Sequence, residues 1–327
     1  MAFFFFAKFM ADSILNVHDY TWQVIVNPNA CDCKCLNNWN DIASKLDENS
    51  VKYELHQAQG SKKGIEIAKQ LCAQGCRHLM VIGGDGTINE VVNGIMLSGI
   101  DTREVYLAVI PFGRGNDWAR THQFPKNFLQ SIDVFANGKF ICHDIGKVQT
   151  VEQEKVLEER YFANIAGFGF DAEVIYDTVY KRPHFMGISV YVLSLARCLF
   201  KYRSTPVQIK APGFDFQNKV FTMAVAICQY NGGGMRQAPM AKPDDGLLDV
   251  VAIKKISKLR VMTLVKSLFD GSHIQKASKK VVACQTDHVS ISSPKLLRAE
   301  VEGELLSTGR YEVSVLPNAL NMLTNRP

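Results

Sequence analysis

The first half of the chain alternates short apolar runs with longer amphipathic segments, and each kind of pattern predicts a different element. The apolar runs predict strands over residues 22–28, 51–55, 78–82 and 106–111. Apolar residues at helical spacing predict helices over residues 38–48, 64–74, 87–96 and 116–122. Strands that alternate with helices in this way predict a parallel α/β sheet with helices on both of its faces.

Beyond about residue 143 the pattern changes, because strand signals become dense and helical signals become rare. Strands are predicted over residues 160–166, 207–210, 219–229, 247–254, 288–292, 298–305 and 311–316. Two helices, over 188–200 and 259–269, interrupt them. The second half is therefore expected to be a β-rich, sandwich-like domain, and 327 residues are enough for two domains. A cleft between the two domains is the default position for a ligand site.

Composition narrows the class of protein without deciding its function. The chain is 47% hydrophobic and 21% charged, which is ordinary for a globular protein and argues against global disorder. A net charge of +5 is too small to indicate a nucleic-acid-binding protein, so no nucleic-acid partner is expected. The small positive excess suits contact with anionic phosphates or with an anionic membrane face.

The cysteines and the N-terminal segment bear on where the protein works. Nine cysteines, an odd number with scattered spacing, favour a reducing cytosol over a disulfide scaffold. Their one cluster, at Cys31, Cys33 and Cys35, lacks the spacing of a zinc site. Residues 1–10, MAFFFFAKFM, are too short to cross a bilayer, which needs about 20 residues, so no transmembrane segment is expected. A packed terminus is the favoured interpretation of this segment, and a shallow membrane anchor is the alternative.

The strand over 78–82 runs directly into a glycine-rich turn at residues 83–86, GGDG. Glycines let the backbone approach a ligand closely, and the helix that follows offers unpaired N–H groups to a phosphate. Thr87 stands three residues before Glu90, which is the spacing of a capping box, so the helix is predicted to begin at Thr87. Asp85 would repel a phosphate unless it holds Mg²⁺ or another cation, or accepts the proton of an attacking hydroxyl. The alternative is a tight turn in which Asp85 caps backbone N–H groups.

A second glycine turn, Gly113-Arg114-Gly115, follows the strand over 106–111. Asn116 and Asp117 come next, where capping of the following helix is the simplest role for them. Ligands of open α/β sheets bind outside the carboxyl ends of the strands. Two such turns at one sheet edge therefore favour a shared nucleotide cleft.

Three turns of the second half also carry polar residues. They are the glycine-rich turn at 231–234, the turn KPDDG at 242–246, and the turn EGE at 302–304 between two strand signals. Taken alone, each is explained by ordinary turn chemistry, and a hairpin with acids at its tip is the favoured interpretation of the last one.

Taken together, these motifs resemble the diacylglycerol kinase catalytic family, in particular the soluble bacterial lipid kinases related to sphingosine kinases. The matching stretches follow one another along nearly the whole chain: GGDGTINEVVNGI at 83–95, PFGRGNDWAR at 111–120, NIAGFGFDAEV at 164–174, GGGMRQAP at 232–239, DDGLLDVV at 244–251 and VEGELL at 301–306. The first motif is shared with NAD kinases and phosphofructokinase-like folds, whereas the full series is not.

The resemblance implies an ATP-binding α/β domain over residues 1–143, to which the final strand at about 315–327 returns. It implies a β-sandwich domain over residues 144–314 that takes the lipid. The implied reaction moves the γ-phosphoryl group of ATP, with Mg²⁺, to a lipid hydroxyl, and diacylglycerol is the leading acceptor. Sphingoid bases and phosphatidylglycerol are the alternative acceptors.

The resemblance also implies roles for individual residues. ATP contacts are expected from Asn27, Gly83, Gly84, Asp85, Gly86, Thr87, Ile88, Asn89, Glu90, Gly113, Arg114, Asn116 and Asp117. A magnesium ion is expected on Asp245, with help from the backbone oxygens of Lys242 and Leu247. Glu304 matches the position of the proton acceptor, while position in the glycine turn favours Asp85, and the choice between them stays open.

Four departures from the family pattern concern mainly the nucleotide side. The first loop lacks its glycine over residues 29–34, Arg114 stands in place of a threonine, and a second threonine is absent near Ala58. Arg114 offers a guanidinium fork that suits phosphate oxygens. Glu302 replaces the usual aspartate of the acid-Gly-Glu turn, which keeps the charge and lengthens its reach by one methylene.

These residues predict in-line phosphoryl transfer that depends on positioning and charge neutralisation. The expected partners are ATP and a lipid at a membrane surface, for a cytoplasmic protein in peripheral membrane contact; a homodimer is left open. The basic run over 254–260 is interpreted as a solvated turn, with contact to anionic headgroups as the alternative. Two rival functions are a kinase for a soluble substrate such as NAD, and a catalytically impaired nucleotide- or lipid-binding protein.

Overall fold

Four parallel strands form the centre of the first half. They are β1 (Thr21–Val26), β2 (Lys52–Gln57), β3 (His78–Gly83) and β4 (Tyr106–Pro111), in the spatial order β2-β1-β3-β4. This computed structural model describes residues 14–28, 34–60, 62–180 and 188–327. The predictions for the segment at 1–10 and for Cys31 and Cys33 lie outside the described residues.

Among the described residues of the first half, six helices accompany these strands. They are α1 (Lys34–Asn37), α2 (Trp39–Glu48), α3 (Lys63–Ala73), α4 (Asp85–Met96), α5 (Asp117–Thr121) and α6 (Phe128–Ala136). Successive side chains of a strand point to opposite faces, and both faces of β3 are buried. Leu79 and Val81 belong to the core formed with α3 and α4, whereas Met80 and Ile82 belong to the core formed with α2 and α6. The predicted sheet with helices on both faces is confirmed.

The second half is built from antiparallel strands. They are β5 (Phe140–Glu152), β6 (Lys155–Phe162), β7 (Ile165–Gly169), β8 (Thr205–Ala211), β9 (Phe214–Ala226), β10 (Leu248–Lys254), β11 (Val281–Thr286), β12 (His288–Ser292), β13 (Ala299–Val301), β14 (Glu304–Leu305) and β15 (Arg310–Leu323). The helices here are α7 (Phe170–Ile175), α8 (Ile188–Lys201), α9 (Lys258–Asp270) and α10 (His273–Lys276). A π-helical turn, Tyr176–Tyr180, follows α7, and 3₁₀ turns lie at Val17–Asp19 and Thr102–Glu104. The predicted sandwich-like second half is confirmed.

Two long strands join the halves into one sheet. β15 pairs antiparallel with β5, and its end at Asn321 and Met322 pairs parallel with Tyr106 and Leu107 of β4. The sequence pattern predicts no element between residues 122 and 160, yet α6, β5 and the first part of β6 lie there. The predicted division between residues 143 and 144 falls inside β5, and the two-domain boundary stays a prediction. Within the described ranges, every helix is too short or too polar to cross a bilayer.

Close packing of α3 on α4 depends on the missing side chain of Gly94. A Cβ at this position would lie 2.4 Å from the carbonyl oxygen of Ile65 and 2.7 Å from Cβ of Ala68. We therefore expect Gly94→Ala to lower the free energy of unfolding by about 1–3 kcal/mol, because the two helices must move apart. Urea unfolding measures the change.

Gly86→Ala is the matched control, because a Cβ at this position of the same helix meets no atom within 4 Å. Equal destabilisation by the two substitutions would contradict the packing explanation.

Candidate active site

The two glycine turns touch each other at the carboxyl ends of β3 and β4. A Cβ on Gly113 would lie 2.5 Å from Cα of Gly84 and 2.6 Å from Oδ1 of Asn116. The Phe112 N–H also donates to the carbonyl oxygen of Gly83, at 2.7 Å. The backbones therefore meet where a side chain would keep them apart, as expected of two turns that share one cleft.

The helix after the first turn begins at Asp85, so the predicted start at Thr87 is wrong. Gly84 is the N-cap residue, in an extended conformation with φ −90° and ψ −176°, and its carbonyl oxygen accepts the N–H groups of Thr87 and Ile88. The hydroxyl of Thr87 accepts a hydrogen bond from the side-chain amide of Asn27, at 3.3 Å. Strand β1, which ends one residue before Asn27, is thereby tied to the glycine turn.

Glu90 does not close a capping box with Thr87. Its carboxylate accepts the N–H groups of Lys62 and Gly64, both at 2.9 Å, at the start of the neighbouring helix α3. The spacing of Thr87 and Glu90 is that of a capping box, but the helix starts two residues earlier, and Glu90 satisfies the N-terminus of another helix. Its expected contact with ATP stays a prediction.

The carboxylate of Asp85 caps the helix of the second turn. Its Oδ1 accepts the N–H of Trp118 at 3.1 Å, and a Cβ on Gly115 would lie 2.9 Å from its Oδ2. Asn116 is the N-cap residue of this helix, as predicted, but it has φ +50° and its side chain makes no capping bond. Burial raises the pKa of Asp85 above its usual value, although these backbone N–H groups oppose the change.

Two further carboxylates, Asp117 and Glu302, lie close enough to Asp85 to interact with its charge, and we call the three residues the acid group. Burial raises the pKa of Asp117 to about 6 and that of Glu302 to about 8, and the charge of Asp85 adds to both effects. Oδ2 of Asp117 accepts the Gly233 N–H at 2.8 Å. Oε1 of Glu302 accepts the N–H groups of Ala163 and Asn164, at 2.9 and 3.0 Å. Such a group favours a cation, or a proton shared with a substrate hydroxyl.

The EGE turn presents its two acids in different surroundings. Glu304 is exposed, and its Oε2 lies 3.2 Å from a guanidinium nitrogen of Arg160. Glu302 is instead close enough to Asp85 for the Asp85 charge to raise its pKa. The turn residues Glu302 and Gly303 both have positive φ, at +48° and +91°. Sequence reasoning noted Glu302 as a departure and did not propose a catalytic role for it. The role of Glu304 as proton acceptor stays a prediction.

Asp245 lies in a loop held by a buried aspartate. Asp144 of β5 accepts the N–H groups of Gly246 at 2.7 Å and Asn318 at 2.8 Å, and its own N–H donates to Pro243. Asp245 accepts the Leu247 N–H at 3.1 Å. Sequence reasoning missed Asp144, because a single aspartate within a strand carries no motif.

The oxygen donors of this loop suit a hard divalent cation. Burial raises the pKa of Asp144 and of Asp249 to about 6, and the charge of Asp245 adds to both; the pKa of Asp245 is raised as well. Carboxylate and carbonyl oxygens are the ligands that Mg²⁺ prefers. The residues predicted for Mg²⁺, Asp245 with the backbone oxygens of Lys242 and Leu247, therefore fit that ion in donor type and charge.

An apolar cavity opens beside the acids. Its space is about 1280 Å³, its open mouth included, and it lies between β9, β10 and the helices α7, α8 and α9. Apolar walls come from Phe170, Val174, Leu195, Leu199, Phe221, Val251, Val261, Leu264 and Leu268. Gly232 and Gly303 also line it. Gly232 precedes Gly233, whose N–H binds Asp117, and Gly303 follows Glu302. The cavity therefore leads from the interior of the second half toward the acids.

The remaining predicted nucleotide residues lie around the same turns. Ile88 is part of the core, and the side-chain amide of Asn89 donates to the carbonyl oxygen of Tyr161 at 3.1 Å. Gly86 has open space around it, and Arg114 is exposed. Ala58, where a threonine is missing, is buried directly after β2. Their contacts with ATP stay predictions.

Two family models match the chain. Residues 21–148 match the diacylglycerol kinase catalytic domain, and residues 164–324 match the YegS C-terminal NAD kinase beta sandwich-like domain. The diacylglycerol kinase of Bacillus subtilis (strain 168) is 28% identical over 264 residues, 80% of this chain and 82% of that protein. The diacylglycerol kinase of Staphylococcus carnosus (strain TM300) is 27% identical over 264 residues, 81% of this chain and 82% of that protein.

A solved structure resembles the whole fold. The crystal structure of a diacylglycerol kinase from Bacillus anthracis str. Sterne has a TM-score of 0.70 and 20% sequence identity, and the match covers 93% of this chain and 97% of that one. This likeness concerns the fold.

The raised pKa of Glu302 predicts that stability falls as pH rises. Because its pKa is about 8 in the folded protein and near 4.5 in the unfolded chain, the folded state binds more protons between these values. The contribution of Glu302 to the free energy of unfolding should therefore decrease between about pH 4.5 and about pH 8 in the absence of ligands. Glu302→Gln should make this decrease shallower in thermal or urea unfolding.

Glu304→Gln is the control on the same turn, because it removes an exposed carboxylate. If both variants keep the slope of the parent protein, Glu302 is not the carboxylate that destabilises the folded state.

Proposed function

The chain belongs to the diacylglycerol kinase catalytic family of lipid kinases, and from this premise we propose that it transfers the γ-phosphoryl group of ATP to the hydroxyl of diacylglycerol. The product of that transfer is phosphatidic acid. The observation that carries the proposal is the apolar cavity, whose lining includes Gly303, the direct neighbour of Glu302, and Gly232, the direct neighbour of Gly233.

The glycine turns supply the phosphate side of the proposed reaction. The N-terminus of α4 offers backbone N–H groups to phosphate oxygens. The open space around Gly86 leaves room for a phosphate to approach them. Arg114 is exposed next to these groups, where its guanidinium suits a phosphate. Phosphoryl transfer depends mainly on such positioning and charge stabilisation.

Asp85 and Glu302 are the residues that we propose for proton transfer from the acceptor hydroxyl. We assign Glu302 as the group that takes the proton of the acceptor hydroxyl, because burial and the nearby Asp85 charge make its carboxylate basic. The N–H groups of Ala163 and Asn164 fix its Oε1. Asp85 holds α5 in place and keeps negative charge next to Glu302.

Mg²⁺ would be held by Asp245 with the backbone oxygens of Lys242 and Leu247. When bound, the ion neutralises negative charge in the acidic loop. The loop connects to the glycine turn through protein contacts: Asp144 holds Gly246, and His143 beside it accepts the indole N–H of Trp118 at 3.3 Å. Trp118 in turn donates its backbone N–H to Asp85.

The cavity favours a lipid acceptor over a soluble nucleotide such as NAD. Its walls are aliphatic and aromatic, as acyl chains require. Its lining also includes the polar side chains Asp171, Thr222, Gln237 and Glu300, which suit a glycerol backbone with its ester and hydroxyl groups. Gln237 donates to Asp171 at 3.0 Å, so these groups already form a polar patch within the apolar walls.

The α9 face is the surface that we propose to meet the membrane. We define it as the exposed apolar residues Leu259, Met262 and Phe269 of α9 together with Phe200 of α8, which are 74%, 57%, 51% and 65% exposed. The inner side of the same helix lines the cavity through Val261, Leu264 and Leu268. Basic residues surround this face: Lys254, Lys255, Lys258, Arg260 and Lys266. An amphipathic helix with this composition binds anionic bilayers.

Substitution of the two turn acids tests the proton acceptor. Glu302→Gln should lower kcat for diacylglycerol phosphorylation by about 100-fold or more, because the amide accepts no proton. Glu304→Gln should change kcat only slightly, because Glu304 pairs with Arg160 at the surface. Mixed micelles with ATP and Mg²⁺ give both rates, and the opposite ranking would assign the role to Glu304.

The acceptor class is tested in the same assay with diacylglycerol, sphingosine, phosphatidylglycerol and NAD. Phosphorylation of diacylglycerol above the others supports the proposal. Label that appears only in NADP would exclude a lipid acceptor, and ATP binding without transfer to any acceptor would indicate a binding protein.

Membrane contact is tested by sedimentation with vesicles. Leu259→Glu should reduce binding to vesicles that contain phosphatidylglycerol by about tenfold or more, because a buried leucine contributes about 1.5–3 kcal/mol. Leu97→Glu is the control, since Leu97 is 45% exposed and directly follows α4 in the first half. Equal binding of the two variants would contradict the assignment of the α9 face.

A further inference from the structure

Three side chains of the kinds that bind metal ions converge next to Trp118, and none of them has a chemical role in the proposed reaction. His122 directly follows α5, His143 belongs to β5, and Cys228 lies just beyond β9. All three are fully buried. Sγ of Cys228 lies 3.9 Å from Nε2 of His122 and 3.8 Å from Nε2 of His143, and the three candidate ligand atoms lie within 4.8 Å of one another.

The outer nitrogens of both histidines already have partners. Nδ1 of His143 donates to the carbonyl oxygen of Asp144 at 2.6 Å, so its lone pair is on Nε2. Nδ1 of His122 lies 3.2 Å from the hydroxyl oxygen of Thr324, which also accepts the N–H of Arg326. Both imidazoles therefore direct Nε2 at the same thiol. Metal-binding histidines are oriented by this kind of contact on the opposite nitrogen.

Burial favours the neutral form of all three side chains, which is the metal-binding form of an imidazole, whereas the thiol must lose its proton to bind. Burial lowers the pKa of His143 to about 4 and that of His122 well below the usual value, so both rings are neutral ligands near pH 7. It raises the pKa of the Cys228 thiol. In the absence of an ion, the thiol donates to the carbonyl oxygen of Ala163 at 3.2 Å, and the indole of Trp118 donates to His143.

The spacing and the charge together indicate the class of ion. An ion with a metal–sulfur distance of about 2.3 Å and metal–nitrogen distances of about 2.0 Å holds sulfur and nitrogen about 3.6–3.8 Å apart. The observed separations are close to these values. One thiolate and two neutral imidazoles carry a single negative charge, which a monovalent ion cancels. A divalent ion would leave a net charge in a buried site, which is costly.

We propose that His122, His143 and Cys228 form a binding site for a soft monovalent metal ion of the Cu⁺ class. The ion replaces the thiol proton, which leaves to solvent, and is coordinated by Sγ and the two Nε2 atoms without any transfer of electrons. Thiolate and imidazole are the ligands that such ions prefer.

Binding of the ion would affect Asp85 of the first glycine turn through Trp118. Its indole N–H contacts the His143 nitrogen that the ion would take, while its backbone N–H holds Asp85. Regulation of phosphoryl transfer by the ion rests on the proposed kinase function, whereas binding of the ion does not. Tryptophan fluorescence and binding stoichiometry therefore test the site independently of activity.

The test is anaerobic titration of the protein with Cu⁺, followed by tryptophan fluorescence and native mass spectrometry. Cys31→Ser and Cys33→Ser are introduced together as the background, because the CDCKC sequence offers competing thiols. One Cu⁺ per chain is expected. Cys228→Ser and His143→Gln should each weaken binding by about 100-fold. Cys198→Ser, a matched change of another buried cysteine, should bind as the background protein does.

Two measurements keep the outcome decisive. X-ray absorption of the loaded background protein should show one sulfur and two nitrogen ligands, whether or not the variants fold. Loading that is unchanged in a folded Cys228→Ser variant, or ligands of another kind, would overturn the proposal. Zn²⁺ binding tighter than Cu⁺ would overturn the charge argument, and no binding of Cu⁺ would show that the cluster is only a hydrogen-bonded part of the core.

Discussion

The hydrogen bond from the Trp118 N–H to the Asp85 carboxylate joins the two glycine turns, and the arrangement around the site depends on it. Without this acceptor, the first turn of α5 would keep an unpaired buried donor, which costs about 1–3 kcal/mol. Gly84, Gly113 and Gly115 allow the approach, because side chains at these positions would strike the opposite turn or the carboxylate itself. One carboxylate thus fixes the relative position of two strands' loops and also places negative charge where the acceptor hydroxyl is proposed to react.

The second half arranges its own acids around this fixed point. Glu302 approaches Asp85 from the EGE turn, and Asp117 is held by the Gly233 N–H of the glycine-rich turn. The repulsion between these carboxylates destabilises the folded state. It also favours the binding of cations and protons at this place, as the proposed reaction requires. The apolar cavity is lined by direct chain neighbours of residues at the same acids. An apolar surface and a group of carboxylates are therefore separated by only one residue of the chain.

The sequence predicted the elements whose two faces are both buried. The strands at β1, β3 and β4 read as continuous apolar runs because helices cover both sides of the sheet, which periodicity detects well. β5 escaped prediction, since polar residues such as Lys147, Gln149 and Asp144 interrupt its apolar pattern. The start of α4 was misplaced because Glu90 serves α3, a contact between elements that no local spacing reveals. Glu302 and Glu304 would share a face in a continuous strand, but the positive φ values of the turn separate them.

The path of β15 also sets the order in which the molecule can be completed during synthesis. The edge of β4 is closed by Asn321 and Met322, more than 200 residues after β4 leaves the ribosome. Until then, the nucleotide half exposes an open strand edge, and β5 lacks the partner that runs along nearly its whole length. Open edges are templates for pairing with other chains, so nascent copies of this protein need protection until the last strand docks. Because both halves share one sheet, the arrangement of the site is complete only after β15 has paired with β4 and β5, which is a late step between residues far apart in the chain.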